Sequence, residues 1–141
     1  MSETANYIVE LKTNDTKKVL IFENWECNDE LNGYNVDVRV SSFDFSAKQR
    51  FLLYKAGLEQ FLRELEKMIS RLSGSIELRD EFPEPYVKME IDNLGHVNIT
   101  GELWDHSQRE QHLKFGFKTD QTCLRPLFND LSRVINDLRS L

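Results

Sequence analysis

The sequence predicts an α+β fold: antiparallel β-sheet with two amphipathic helices, laid out as a pseudo-repeat of two ββββα halves. Three observations carry this. Apolar and polar residues alternate strictly through several short runs in both halves. Two stripes with three-and-four spacing follow those runs, one from Leu58 to Leu72 and one from Leu124 to Leu138. The stripes also align at a fixed offset of 66 residues: Leu58, Leu65, Ile69 and Leu72 fall on Leu124, Leu131, Ile135 and Leu138.

In order, residues 7–11 read as a strand, and Asn14-Asp15 supplies turn chemistry. Residues 19–25 read as the second arm of a hairpin, followed by a polar loop over 28–33. From Tyr34 the apolar positions are Tyr34, Val36, Val38 and Val40, the signature of a half-buried strand. The phase slips at Ser41-Ser42, because Phe43 and Phe45 carry the next apolar positions. That predicts a turn or bulge, with another strand running to about Tyr54. A helix is expected over 55–72, with Gly74 in the usual place of a terminator. The second half opens with a short strand over 75–80, which Pro83 and Pro85 prevent from extending. Val87, Met89 and Ile91 form one arm of a hairpin whose turn is Asn93-Leu94-Gly95, and Val97, Ile99 and Leu103 form the other. After a turn at 105–108, Leu113, Phe115 and Phe117 alternate with polar or small residues. The final helix is expected over 121–140, with Pro126 in or near its first turn.

At 141 residues with 40% hydrophobic content, one domain spanning 1–141 is expected, with halves of about 1–73 and 74–141. The longest apolar runs are four residues, 19–22 and 51–54, too short to cross a membrane as a helix. The first residues carry neither a basic region nor an apolar one, so a cytoplasmic protein is expected. Cys27 and Cys123 fit no metal or redox spacing and suit a reducing compartment.

A net charge of −6 has the wrong sign for nucleic acid. Residues 23–44 hold six acids against Arg39, and residues 77–92 hold six against Arg79 and Lys88, whereas 45–71 is net +3. If the two acidic stretches meet in space they form a negative patch suited to a basic partner; otherwise they serve solubility. The candidate partner-binding residues are Glu23, Trp25, Glu26, Asp29, Glu30, Glu77, Asp80, Glu81, Glu84 and Tyr86. For Trp25, recognition and closure of the core are both open readings.

Catalytic and metal signatures are absent: no G-x-S-x-G, no Gly-rich phosphate loop, no H-E-x-x-H, no C-x-x-C. His106 and His112 flank the 105–108 turn, a thin metal signal without a third fixed ligand. Glu102 and Asp105 flank Trp104, an arrangement that serves a general acid or simply a strand end. No cofactor is expected.

Three segments carry a family resemblance. They are Gly33-Tyr34-x-Val36; Leu94-Gly95-His96-Val97-x-Ile99-x-Gly101-Glu102-Leu103; and Leu113-x-Phe115-x-Phe117-x-x-Asp120-Gln121-Thr122-x-Leu124. With them the chain resembles the WapI-type immunity proteins of bacterial polymorphic-toxin systems, from about residue 30 to residue 140. The segment 41–50 departs from that pattern, and residues 1–29 match only as a strand pair. The resemblance implies a cytoplasmic binding protein that neutralises a cognate toxin domain without catalysis, acting as a monomer or homodimer, with no nucleic-acid or membrane partner. Nuclease toxins tend to be basic, and an acidic protein binds such a surface fast. Two other classes stay open. One is a structural or regulatory interaction domain, for instance a homodimer joined through sheet edges. The other is a small enzyme with a diffuse carboxylate site.

Overall fold

Alternation in the sequence becomes a four-stranded antiparallel meander in each half. The computed structural model describes residues 7–82, 85–105 and 111–140. The first sheet runs in chain order through β1 (Val9–Glu10), β2 (Lys18–Asn28), β3 (Gly33–Ser42) and β4 (Phe45–Tyr54). Helix α1 (Lys55–Arg71) follows directly. The second sheet runs through β5 (Gly74–Arg79), β6 (Tyr86–Ile91), β7 (His96–Trp104) and β8 (His112–Asp120). A 3-10 turn at Gln121–Cys123 then leads into α2 (Leu124–Arg139). The expected order of four strands and a helix, twice, is therefore present.

Register explains which residues face inward. In the first sheet Val36 stands opposite Phe51, and Val38 is flanked by Phe22 and Gln49. In the second, Met89 stands opposite Ile99, which stands opposite Phe117. The apolar residues among them join Leu58, Phe61, Leu65 and Met68 of α1, and Leu127, Leu131, Val134 and Leu138 of α2, in one hydrophobic cluster. Backbone polar groups between the halves are satisfied by few but definite bonds. The Trp104 N–H donates to Gln49 Oε1 at 2.7 Å, Ser42 Oγ to the Gly116 carbonyl at 3.3 Å, and Lys18 Nζ to the Lys118 carbonyl at 3.0 Å.

Several boundaries differ from the sequence expectation. The expected strand over 7–11 pairs only at Val9–Glu10, although the Leu11 N–H still donates to the Leu20 carbonyl. β2 is longer than expected because an irregularity between Glu23 and Glu26, with Asn24 at φ 56°, absorbs the phase change and lets pairing resume to Asn28. α1 stops at Arg71. Leu72 is the left-handed cap (φ 53°), its N–H donating to the Met68 carbonyl, and its side chain is 55% exposed, so the last member of the stripe is not in the core. Gly74, at φ 117°, opens β5 instead of closing the helix. Only Asp105 of the expected 105–108 turn lies within the described residues.

The two glycines of the longer motif have separate reasons. Gly95 takes φ 80° in the β6–β7 turn. At Gly101 a Cβ would stand 2.3 Å from the Tyr86 carbonyl oxygen and 2.6 Å from the Phe115 ring, so only glycine fits. The motifs also meet in space: His96 pairs with Asp120 across β7 and β8, and Gly95 lies beside the Gln121 side chain. Asp120 Oδ1 accepts from the Thr122 N–H at 3.0 Å, capping the 3-10 turn.

Candidate partner-binding surface

Half of the first acidic stretch, Glu23, Glu26 and Asp37, lies on β2 and β3, where arginines answer it. The irregularity in β2 brings Glu23, Asn24 and Glu26 beside Asp37 of β3 and Arg50 of β4. Arg50 donates to Asp37 Oδ1 at 3.1 Å and to the Asn24 carbonyl at 3.2 Å, and stands 3.6 Å from Glu26. The Asn24 amide donates to the other Asp37 oxygen at 2.8 Å, and Arg39 pairs with Glu23 at 3.2 Å. Three carboxylates thus share two guanidinium groups, so half of the six acids counted along this stretch are paired in the sheet. Asp29 and Glu30, exposed in the β2–β3 loop, have no basic partner within ion-pair distance among the described residues.

The second stretch divides. Glu81 reaches the edge of the first sheet: its N–H donates to the Leu52 carbonyl at 3.0 Å and its carboxylate accepts from the Tyr54 hydroxyl at 3.4 Å. Leu52 pairs with Asn35, which pairs with Glu26, so Glu26 and Glu81 are three strand spacings apart, about 14 Å. Glu77 belongs to the second sheet, bound to Arg79 at 2.6 Å, and Arg79 in turn lies 5.1 Å over the Tyr86 ring. Glu84 lies outside the described residues.

Two of the expected contact residues are structural. Asp80 is only 9% exposed, and its Oδ1 accepts from the Leu52 N–H at 2.6 Å, tying the β5–β6 connection to β4. Trp25 is 0% exposed: its indole N–H donates to the Phe22 carbonyl at 3.3 Å and its ring meets Tyr34 edge-on at 6.5 Å. Of its two open readings, core closure is the one its burial supports. It sits inside because the irregularity at Asn24 turns it to the same face as Phe22.

Sequence reasoning missed a groove between the sheets. Residues 46–50 of β4 form one wall and Leu103, Trp104, Asp105, Gln111, His112 and Leu113 the other, enclosing about 550 Å³. Trp104 and His112 stack with centroids 3.8 Å apart and planes 5° apart, and the buried Trp104 indole N–H has no hydrogen-bond partner among the described residues. Glu102 lies 3.8 Å from His112. Their alternation in β7 and β8 was the available signal, since it puts Trp104 opposite His112. His106 lies outside the described residues, and no cluster of three or more metal-ligating side chains occurs among those described. Sequence reasoning also missed the exposure of Phe43 and Phe45, which stand 59% and 68% exposed at the tip of the β3–β4 hairpin.

Both cysteines are free thiols. Burial pushes Cys123 up to about 11. Cys27 is raised by desolvation and by Asp29.

A family model described as the immunity protein WapI-like family matches residues 6–139. No curated protein matches the chain. Among solved structures, a chain of the crystal structures of trypanosoma bruciei MRP1/MRP2 is similar in fold, with a TM-score of 0.53 and 10% identity over 94% of this chain and 84% of that one. No helix among the described residues is long and apolar enough to cross a membrane.

Proposed function

The chain belongs to the WapI-like immunity protein family, and from that premise we propose that it neutralises a cognate toxin domain by binding it directly, with no chemistry of its own. The family match over nearly the whole chain is the observation that carries this reading. The partner is a protein, basic on the surface it presents, and this protein works in the cytoplasm as a monomer or homodimer. Acids without a basic partner among the described residues serve it best: Asp29 and Glu30 in one loop, and Glu81 across the end of the first sheet. Charges of that kind act mainly on the association rate, and their reach shortens to a screening length of about 8 Å at physiological ionic strength.

The test takes a gene neighbouring this one that encodes a large secreted protein and uses that protein's C-terminal domain as the toxin, carrying an inactivating substitution. Surface-plasmon kinetics at two salt concentrations are expected to show binding, with a slower association for the Asp29→Lys, Glu30→Lys, Glu81→Lys variant at low salt and unchanged folding. No binding by the wild type refutes the function. Unchanged association of the variant refutes the acidic site.

A further inference from the structure

The β3–β4 hairpin is closed by two residues. Ser42 pairs with Phe45, leaving Phe43 and Asp44 as the central pair. Phe43 takes φ 57°, and its N–H donates to the Lys17 carbonyl at 2.8 Å, which holds the tip against the preceding turn. Positive φ at the first central position of a two-residue loop favours glycine, and asparagine tolerates it. Asn24 and Asn32 follow this at φ 56° and 52°, and Leu72, at φ 53°, takes the same region as the cap of α1. At the hairpin tip the chain instead carries a bulky aromatic in a left-handed conformation and leaves the ring in solvent, with a second phenylalanine two residues on. Neither ring joins the hydrophobic core, so the fold gains little apolar burial for the strain.

Resting on the proposed function, we infer that Phe43 and Phe45 are an aromatic anchor that enters an apolar pocket of the toxin domain. Area argues for that partner over a second copy of this chain. A phenylalanine offers about 150–250 Å²; at their exposures the two rings present on the order of 250 Å². Two copies meeting tip to tip would bury on the order of 500 Å² in total, well under the roughly 1,200 Å² of a stable interface. A pair of rings set into one wider heterologous interface is the usual form of a binding hot spot. Room for the rest of such an interface adjoins the tip: the groove wall begins at Ser46, the next residue of β4, and continues to the stacked Trp104 and His112.

The experiment measures Kd for the same inactivated toxin domain with Phe43→Gly, Phe45→Ala and, as an exposed apolar control in the β6–β7 turn, Leu94→Ala, which is 81% exposed in the wild type. Phe43→Gly supplies the residue that the backbone geometry favours, so its melting temperature is expected to equal or exceed that of the wild type. Each phenylalanine variant is expected to raise Kd by about 30-fold or more, mostly through faster dissociation, and Leu94→Ala to leave it unchanged. Failure of the wild type to bind overturns the proposed function together with this inference. Wild-type binding with unchanged Kd in both phenylalanine variants overturns the inference alone, as does an equal loss in Leu94→Ala. A Phe43→Gly protein that melts well below the wild type also overturns it, because the ring would then support the fold. So does sedimentation showing a wild-type dimer that Phe45→Ala dissolves while toxin binding persists.

Discussion

Leu65 and Leu131 hold equivalent places in the two helical stripes, 66 residues apart, and are 0% and 1% exposed. Truncating either to alanine removes three carbons from a filled interior. At about 0.8 kcal/mol per buried carbon the transfer loss alone is about 2.4 kcal/mol. Incomplete collapse of the surroundings adds about 24 cal/mol per Å³ of cavity left behind, so each variant is expected to lose about 2.5–5 kcal/mol. With a urea m-value of about 2 kcal/mol per molar, a loss of 3 kcal/mol moves the midpoint down by about 1.5 M. The same offset also supplies a control. Leu72 and Leu138 are equivalent in sequence, yet Leu72 is 55% exposed beyond the end of α1 while Leu138 is 3% exposed within α2. Leu72→Ala is therefore expected to change stability by no more than about 0.5 kcal/mol, and Leu138→Ala to cost about as much as the central pair. Urea melts of the four variants, followed by circular dichroism, decide it. Losses under about 1 kcal/mol for both Leu65→Ala and Leu131→Ala, or equal losses for Leu72→Ala and Leu138→Ala, would refute the packing described.

Gly101→Ala forces a methyl group to within 2.3 Å of the Tyr86 carbonyl oxygen and is expected to cost about 1–3 kcal/mol, whereas Gly57→Ala, with nothing within 4 Å of the new carbon in α1, is expected to gain about 0.4–1 kcal/mol; thermal melts of the pair test both signs. Cys123, pushed up to about 11 by burial, is expected to resist a thiol reagent at pH 8 in the folded protein and to react on unfolding. Since its folded pKa lies above the ordinary 9.0, the stability it contributes is complete below pH 9 and is lost as pH rises toward 11; a stability profile of wild type against Cys123→Ala across that window measures it.

Much of the fold was legible because periodicity reports a face directly. Tyr34, Val36, Val38 and Val40 alternate, and all four are buried on one side of β3. Boundaries were less legible where the backbone left its regular period. The irregularity around Asn24 lets Trp25 rejoin the inner face, and no alternation count across it could show that. The end of α1 failed differently: Leu72 keeps the helical spacing but adopts the left-handed cap itself, so the glycine two residues later was free to open a strand. Phe43 and Phe45 have the spacing of buried strand residues, but the two-residue loop puts them past the last layer of the core.

Charge was the least legible property, because a sheet pairs residues that sequence keeps far apart. Residues 23–44 count as strongly acidic along the chain, yet Arg50, from a stretch that counts as basic, stands between Glu26 and Asp37. The consequence for experiment is direct. Reversing Glu26 or Glu23 would leave Arg50 or Arg39 facing a like charge on the sheet, so a slower association could come from local repulsion as easily as from lost steering. Asp29, Glu30 and Glu81 avoid that confusion, since none has an arginine or lysine at ion-pair distance among the described residues. A change in association rate on reversing these three reports attraction to the partner, and its decline with added salt separates that attraction from contact made by the hairpin tip, which acts on dissociation and is insensitive to screening.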